Sequence, residues 1–307
     1  MKIALIGQAA FGKAVLEAIV AAGKDEIVGV FAPPTREGRP ADPIVDAANE
    51  SGVPVFQFKR LRNQDAIDQF NAVEPELCVM AFVTDIVPMD MINGPSKGTI
   101  QYHPSLLPLH RGPSSINWPI VQGKTETGLT IFWPDDGLDT GPVLLQKTTP
   151  ISSDDTLGSV YFQRLFPMGV EAMIESIDLV REGSAPRIVQ DESKATYEGW
   201  FKAAEAAIDW TKPGSEIYNL IRGSDPSPGA NSTLNGEKVS FYDASFTARE
   251  HDSQPGEVLA IDDSGIQIAV SGGSITAGRV RGPDRKKVPA AEFASAFNVE
   301  AGSSFGS

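Results

Sequence analysis

The chain has 307 residues, 41% of them apolar and 21% charged, with a formal net charge of −14. That length accommodates two domains, and the apolar share is enough for a core in each, which excludes wholesale disorder. The acidity argues against a duplex or tRNA partner, whose phosphates need a basic stripe. A single cysteine, Cys78, excludes a disulfide framework and a cysteine-ligated metal.

In chain order, residues 2–6 form an aliphatic run that ends at Gly7 and predicts a strand. Residues 9–22 follow as a helix, with Phe11, Val15, Ile19 and Val20 at helical spacing. Strand character returns over 26–31 and stops at Pro33-Pro34. Helix, strand and helix then alternate over 43–51, 53–58 and 63–73, and further strands are predicted over 77–83 and 98–102. This alternation predicts an α/β domain with a mostly parallel, doubly wound sheet. Ligands in such sheets bind beyond the carboxyl ends of strands, which directs attention to the loops after Val83 and Tyr102.

Residues 129–133 and 143–149 predict a strand pair around a turn at 135–141. Asp154-Asp155-Thr156 supplies capping chemistry for one long helix over 157–181. The polar, proline-bearing stretch that follows is the linker candidate. The expected division is therefore 1–183 as the catalytic domain, 184–208 as a linker and 209–307 as a small β-rich domain. Within the last part a helix is predicted over 214–222 and short strands over 237–242, 256–262 and 265–270, consistent with an open barrel. The N-terminus lacks a signal-peptide pattern and no segment approaches the ~20 apolar residues of a membrane span. The expectation is a cytoplasmic protein with no membrane partner.

Several motifs carry little. Gly7-Gln8-Ala9-Ala10-Phe11-Gly12 has no glycine at position 9 and residue 32 is alanine, so no NAD(P) site is expected. Ser105 lies in Pro-Ser-Leu rather than a nucleophile elbow, and reads as a residue that bonds its own turn. His103 and His110 are seven apart in a proline-rich loop, which is poor metal-ligand spacing, and no metal is expected. The basic cluster Arg279, Arg281, Arg285, Lys286 and Lys287 sits where, from Glu205 onward, fourteen acids face nine bases, so it reads as a solvated loop.

Two segments carry the chemistry. One is Gln101-Tyr102-His103-Pro104-Ser105-Leu106-Leu107-Pro108, at the end of a predicted strand. The other is the turn Asp135-Asp136-Gly137-Leu138-Asp139-Thr140-Gly141. A carboxylate placed against a histidine fixes its tautomer and supports its charged form, as acid–base catalysis requires. In this order and spacing the two segments resemble the folate-dependent formyltransferase family. The resemblance covers nearly the whole chain and extends through Ile116-Asn117-Trp118, Leu144-Leu145-Gln146-Lys147 and Ala195-Thr196-Tyr197-Glu198-Gly199. It is closest to the N-terminal hydrolase domain of 10-formyltetrahydrofolate dehydrogenases, and methionyl-tRNA formyltransferases are also similar.

The resemblance implies a Rossmann-like formyltransferase domain followed by a small β-barrel domain, with 10-formyltetrahydrofolate as substrate. It implies His103 as the catalytic acid and Asp139 as its partner. Asp85, Ile86 and Val87 match the segment that holds the pterin through backbone groups, and Asp135, Asp136, Gly137 and Asp139 the turn closing the same pocket. Gln101 stands where the transferases carry Asn and the hydrolase domains an apolar residue; it retains an amide that can serve the formyl oxygen. Leu109 replaces an arginine common in the family. The implied reaction is hydrolysis to tetrahydrofolate and formate, with transfer to methionyl-tRNA, a sugar nucleotide or another small amine as the alternative.

Overall fold

The computed structural model describes residues 1–306. The chain opens with β1 (Lys2–Gly7), buried along all but its first residue. Such a continuous apolar run marks a strand covered on both faces. It turns directly into α1 (Ala9–Ala22), which buries Phe11, Val15, Leu16 and Ile19 and ends on Gly23 in the left-handed region. Gly7 permits the close approach of the neighbouring strand, since a Cβ there would lie 2.7 Å from the Ala81 carbonyl oxygen. Next come β2 (Glu26–Ala32), α2 (Pro43–Glu50), β3 (Val55–Gln57), α3 (Gln64–Ala72), β4 (Leu77–Ala81), α4 (Met89–Asn93) and β5 (Thr99–His103). Asp42 caps α2 by accepting from Ile44 N, with proline at the first helical position.

After α5 (Asn117–Val121), β6 (Glu126–Phe132) and β7 (Val143–Pro150) complete a seven-stranded sheet in the order β3-β2-β1-β4-β5-β6-β7. The pairings from β3 to β5 are parallel. β6 runs antiparallel to β5, pairing Gln101 with Phe132 and His103 with Thr130. The sheet is mixed and mostly parallel, as the alternation of elements predicts. Cys78 is fully buried at its centre in β4, where loss of solvation pushes its thiol up to about 12.

The single helix expected over 157–181 is instead three pieces: α6 (Leu157–Val160), a π turn (Tyr161–Leu165) and α7 (Phe166–Glu182). Thr156 supplies the expected N-cap, and does so in a capping box with Ser159. The interruption falls where Pro167 has no N–H to offer the carbonyl four residues earlier.

Beyond a 3-10 turn (Glu192–Lys194) lie α8 (Gly214–Ser224), β8 (Ala230–Leu234), β9 (Glu237–Ala248), β10 (Val258–Asp262), β11 (Gly265–Val270), β12 (Gly273–Arg281), β13 (Lys287–Pro289) and α9 (Ala290–Ala296). These strands make a separate antiparallel sheet in the order β10-β11-β12-β9-β8, with β13 on β12. Its core gathers Trp210, Phe241, Ile268, Ile275 and Phe293. The basic cluster is largely absorbed locally: Arg279 donates to the Lys287 carbonyl, Arg281 to that of Pro228, and Lys287 lies 3.5 Å from Asp225. Among the described residues, no helix is long and apolar enough to cross a membrane.

The chain forms two compact units, each assembled from interleaved segments. The first comprises Met1–Gly112, Gly128–Thr148 and Arg164–Tyr197; the second comprises Pro113–Thr127, Thr149–Gln163 and the chain from Glu198 onward. The stretch 184–208, expected as a linker, is packed. Gln190 is buried in the first unit, and Phe201 and Ala206 are buried in the second. Within the second unit α5 docks on α8, where Asn117 Nδ2 donates to the Gly223 carbonyl and a Cβ on Gly223 would strike Val121.

Candidate active site

His103 is the last residue of β5, and Gln101 lies on the same face of that strand because side chains alternate. Tyr102, between them, faces the other way and stacks on Phe11 of α1 at 4.3 Å. His103 is 6% exposed. Its Nε2 lies 2.9 Å from the His110 carbonyl oxygen, and its Nδ1 lies 3.6 Å from Asp139 Oδ2. The second distance is within ion-pair reach but longer than a hydrogen bond. Because a carbonyl oxygen only accepts, the hydrogen bond to His110 is one that Nε2 donates.

The path of Asp139 to this point follows from strand direction. Because β6 is antiparallel to β5, its turn leaves the sheet beyond Phe132, at the Gln101 end of the pairing. The turn nevertheless reaches back to His103. Asp139 adopts φ 56°, the left-handed region, and is 7% exposed. Its Oδ2 accepts from Gly112 N at 2.8 Å. Its carbonyl accepts from Gln190 Nε2 at 2.9 Å. Asp135 organises the start of the turn, where Oδ1 accepts from Gly137 N at 3.1 Å and from Thr140 Oγ1 at 2.6 Å. Gly137 is required there, because a Cβ would lie 1.9 Å from Thr140 Oγ1. Asp136 is exposed.

The Pro104–Leu109 segment after the histidine is held from several sides. Ser105 Oγ donates to the Leu109 carbonyl at 2.7 Å, the local bond expected of it. Thr130 Oγ1, fully buried on β6, donates to the Ser105 carbonyl and accepts from Leu107 N. Gln146 Nε2 on β7 donates to the Leu107 carbonyl and to Thr130 Oγ1. His110 N and Arg111 N are tied to Thr196. Thr130, Arg111, Gly112 and Gln190, which buttress this segment and the turn, stand outside the residues that the motifs single out. For Thr130 a signal existed, a hydroxyl inside an apolar strand beside the histidine; for Gln190 none did.

The residues after β4 contribute differently. Asp85 accepts from Leu61 N at 2.8 Å and from Arg60 Nη1 at 3.1 Å. Burial opposes its ionisation, but these bonds outweigh that and hold its carboxyl below the usual carboxylate range. The Asp85 side chain is thus engaged within the protein. Ile86 is 72% exposed, whereas Val87 is buried beside Met80 and Met91. Phe82, at φ 60°, is also exposed, as are Leu109 and Leu138. The structure brings His103 and Asp139 together directly, places Gln101 on their strand face, and sets Asp85, Ile86 and Val87 after the adjacent strand. Gln101's amide makes no hydrogen bond to another described residue. Among the described residues, no cluster of histidine, cysteine, aspartate or glutamate is arranged to hold a metal.

Comparison with known proteins shows the family. Residues 1–177 match the family described as formyl transferase, and residues 201–298 match the formyl transferase C-terminal domain. The mitochondrial 10-formyltetrahydrofolate dehydrogenase of Mus musculus is 39% identical over 96% of this chain. The match occupies 33% of that relative, so the chain spans about a third of its length. Methionyl-tRNA formyltransferase of Geobacter sulfurreducens is 32% identical over 100% of this chain and 97% of its own length. Among solved structures, HypX from Aquifex aeolicus in complex with tetrahydrofolic acid superposes with a TM-score of 0.70 at 21% identity, over 97% of this chain and 47% of that one, which is a likeness of fold. With both sequence matches following the order of the two sheets, and the first alone covering more than half of the residues, the chain belongs to the formyl transferase family.

Proposed function

We propose that this protein hydrolyses 10-formyltetrahydrofolate to tetrahydrofolate and formate, with His103 and Asp139 as its catalytic pair. The observation that carries the proposal is the buried histidine at the end of β5 with an aspartate carboxylate 3.6 Å from its Nδ1. In this reading a water oriented by Asp139 attacks the formyl carbon of the substrate, forming a carbon–oxygen bond as its proton passes to the Asp139 carboxylate. His103 supports the developing oxyanion and then gives its proton to N10 as the carbon–nitrogen bond breaks. Gln101, on the same strand face with an unpartnered amide, adds a donor to that oxygen. The loop carrying Asp85, Ile86 and Val87 and the turn carrying Asp135, Asp136 and Gly137 hold the pterin, the first through backbone groups and exposed apolar surface.

Water is favoured as acceptor by the 39% identity to a 10-formyltetrahydrofolate dehydrogenase, against 32% to a methionyl-tRNA formyltransferase. It is also favoured by the short segment 34–43, in which two bases face two acids and offer no basic grip for tRNA. The second reading, transfer to an amine, has its own support in the full-length match to the methionyl-tRNA enzyme. The deciding experiment is incubation with 10-formyltetrahydrofolate alone, following tetrahydrofolate. Turnover without an amine supports hydrolysis; strict dependence on an added sugar-nucleotide amine or methionyl-tRNA replaces it with transfer.

A further inference from the structure

Gln190 belongs to none of the motifs, yet it is 6% exposed and its amide is used on both sides. Nε2 donates to the carbonyls of Asp139 at 2.9 Å and Gly141 at 2.7 Å. Oε1 accepts from Arg111 Nε at 3.2 Å and Nη2 at 2.8 Å. Only one amide orientation fits, since the reverse would turn an oxygen on two carbonyls and an NH2 on a guanidinium. Arg111, 7% exposed, is in turn gripped by Glu192 through Nη1 at 2.9 Å and Nη2 at 2.6 Å. These bonds to Glu192 outweigh the cost of burial and hold the guanidinium's pKa above its ordinary value. The backbone of the next residue, Gly112 N, bonds the Asp139 carboxylate directly. Asp139 sits in the left-handed backbone region, which a residue with a side chain adopts less readily than glycine, so an external hold helps to keep that carboxylate in place.

We propose that Gln190 is a positioning residue that sets the Asp139 carboxylate against His103, clamping the turn on both sides of Thr140 while Arg111 and Glu192 fix the clamp. This inference rests on the reading of His103 and Asp139 as the catalytic pair, whichever molecule accepts the formyl group. A misplacement of about 1 Å in such a group costs on the order of a hundredfold in rate, whereas the pterin-holding start of the turn is organised by Asp135 itself, through Gly137 N and Thr140 Oγ1, and the loop after β4 stands apart from the clamp. The signature is therefore a loss in kcat with KM preserved, and a loss that disappears once Asp139 has no catalytic carboxylate to place.

The test is a cycle of wild type, Gln190→Leu, Asp139→Asn and the double variant, each checked for folding by thermal melting and assayed for release of tetrahydrofolate. Gln190→Leu is expected to lower kcat ~10–100-fold with KM within about threefold, and to cost less than about threefold in the Asp139→Asn background. An equal loss in both backgrounds, or full activity in Gln190→Leu, overturns the proposal. Should Gln190→Leu not fold, Gln190→Glu keeps the acceptor for Arg111 but turns oxygen on the two carbonyls; the same kcat loss supports the clamp and wild-type kcat refutes it. An Asp139→Asn protein as active as wild type brings down the catalytic pair itself, a different failure visible in a different variant.

Discussion

Two neighbouring loops of the first unit, both following parallel strands, are built in opposite ways. After β5, the Ser105 and Leu107 carbonyls and the N–H groups of Leu107, His110, Arg111 and Gly112 are tied to β6, β7, Thr196 or Asp139. After β4, the chain is anchored at Thr84, which accepts from Gln8, and at Asp85, while Phe82 and Ile86 stand exposed. Under the proposed function the contrast separates two demands. A group that moves a proton must be held in place before the substrate arrives, while a surface that grips a flat heterocycle needs apolar area and unspent backbone donors.

The comparison makes graded predictions. The largest effect belongs to the pinned loop: His103→Ala lowers turnover by at least ~10²-fold while the protein stays folded, the usual scale for a positioned acid–base group. Near-wild-type kcat in a folded His103→Ala protein removes the mechanism. Next comes Thr130→Val, which keeps the shape but leaves the Ser105 carbonyl and Leu107 N unpaired in a buried site. Denaturant unfolding should report a loss of roughly 1–3 kcal/mol, the cost of stranding buried polar groups, together with a lower kcat. Unchanged stability would show that the pinning is dispensable.

The open loop should respond in binding instead. Ile86→Ala is expected to weaken folate binding by ~3–10-fold, as removing a few methyl-sized groups from a contact does, with kcat within about twofold. A drop in kcat at constant KM would erase the distinction between the loops. Smallest of all is Asp85→Asn. The folded carboxyl sits below its ordinary value, so its stabilisation is fully present above the unfolded pKa of about 3.9 and is lost as pH falls through the lower folded value. The difference in melting temperature between wild type and Asp85→Asn should thus be largest near neutrality and shrink toward zero in acid. A difference that grows in acid contradicts the assignment.

Much of the first unit was legible because its strands are continuous apolar runs and its helices are amphipathic. The prediction for residues 9–22 coincides with α1, and 63–73 overlaps α3 closely. What escaped was either short or polar. β8 reads Ala-Asn-Ser-Thr-Leu, and β12 begins on glycine and ends among arginines, so neither shows a two-residue apolar period despite burial of Ile275 and Val280. α4, α5 and α9 have seven residues or fewer, too few to display a helical repeat. In the site, the histidine and aspartate announce themselves by residue type and spacing. Gln190 could not, because an uncharged amide in a polar stretch carries no local signal; its meaning arises only when 50 residues of intervening chain bring it under the turn.

Cys78 supplies a different kind of consequence. It is the only cysteine in the sequence, and it sits fully buried in the strand between β1 and β5. With the thiol pushed up to about 12, almost no thiolate exists in the native state at neutral pH. A thiol-reactive dye therefore labels the protein only when β4 opens, and its labelling rate is a clock for that opening. The chain contains its own reporter, next to the strand that ends in His103, and no cysteine needs to be added or removed to use it.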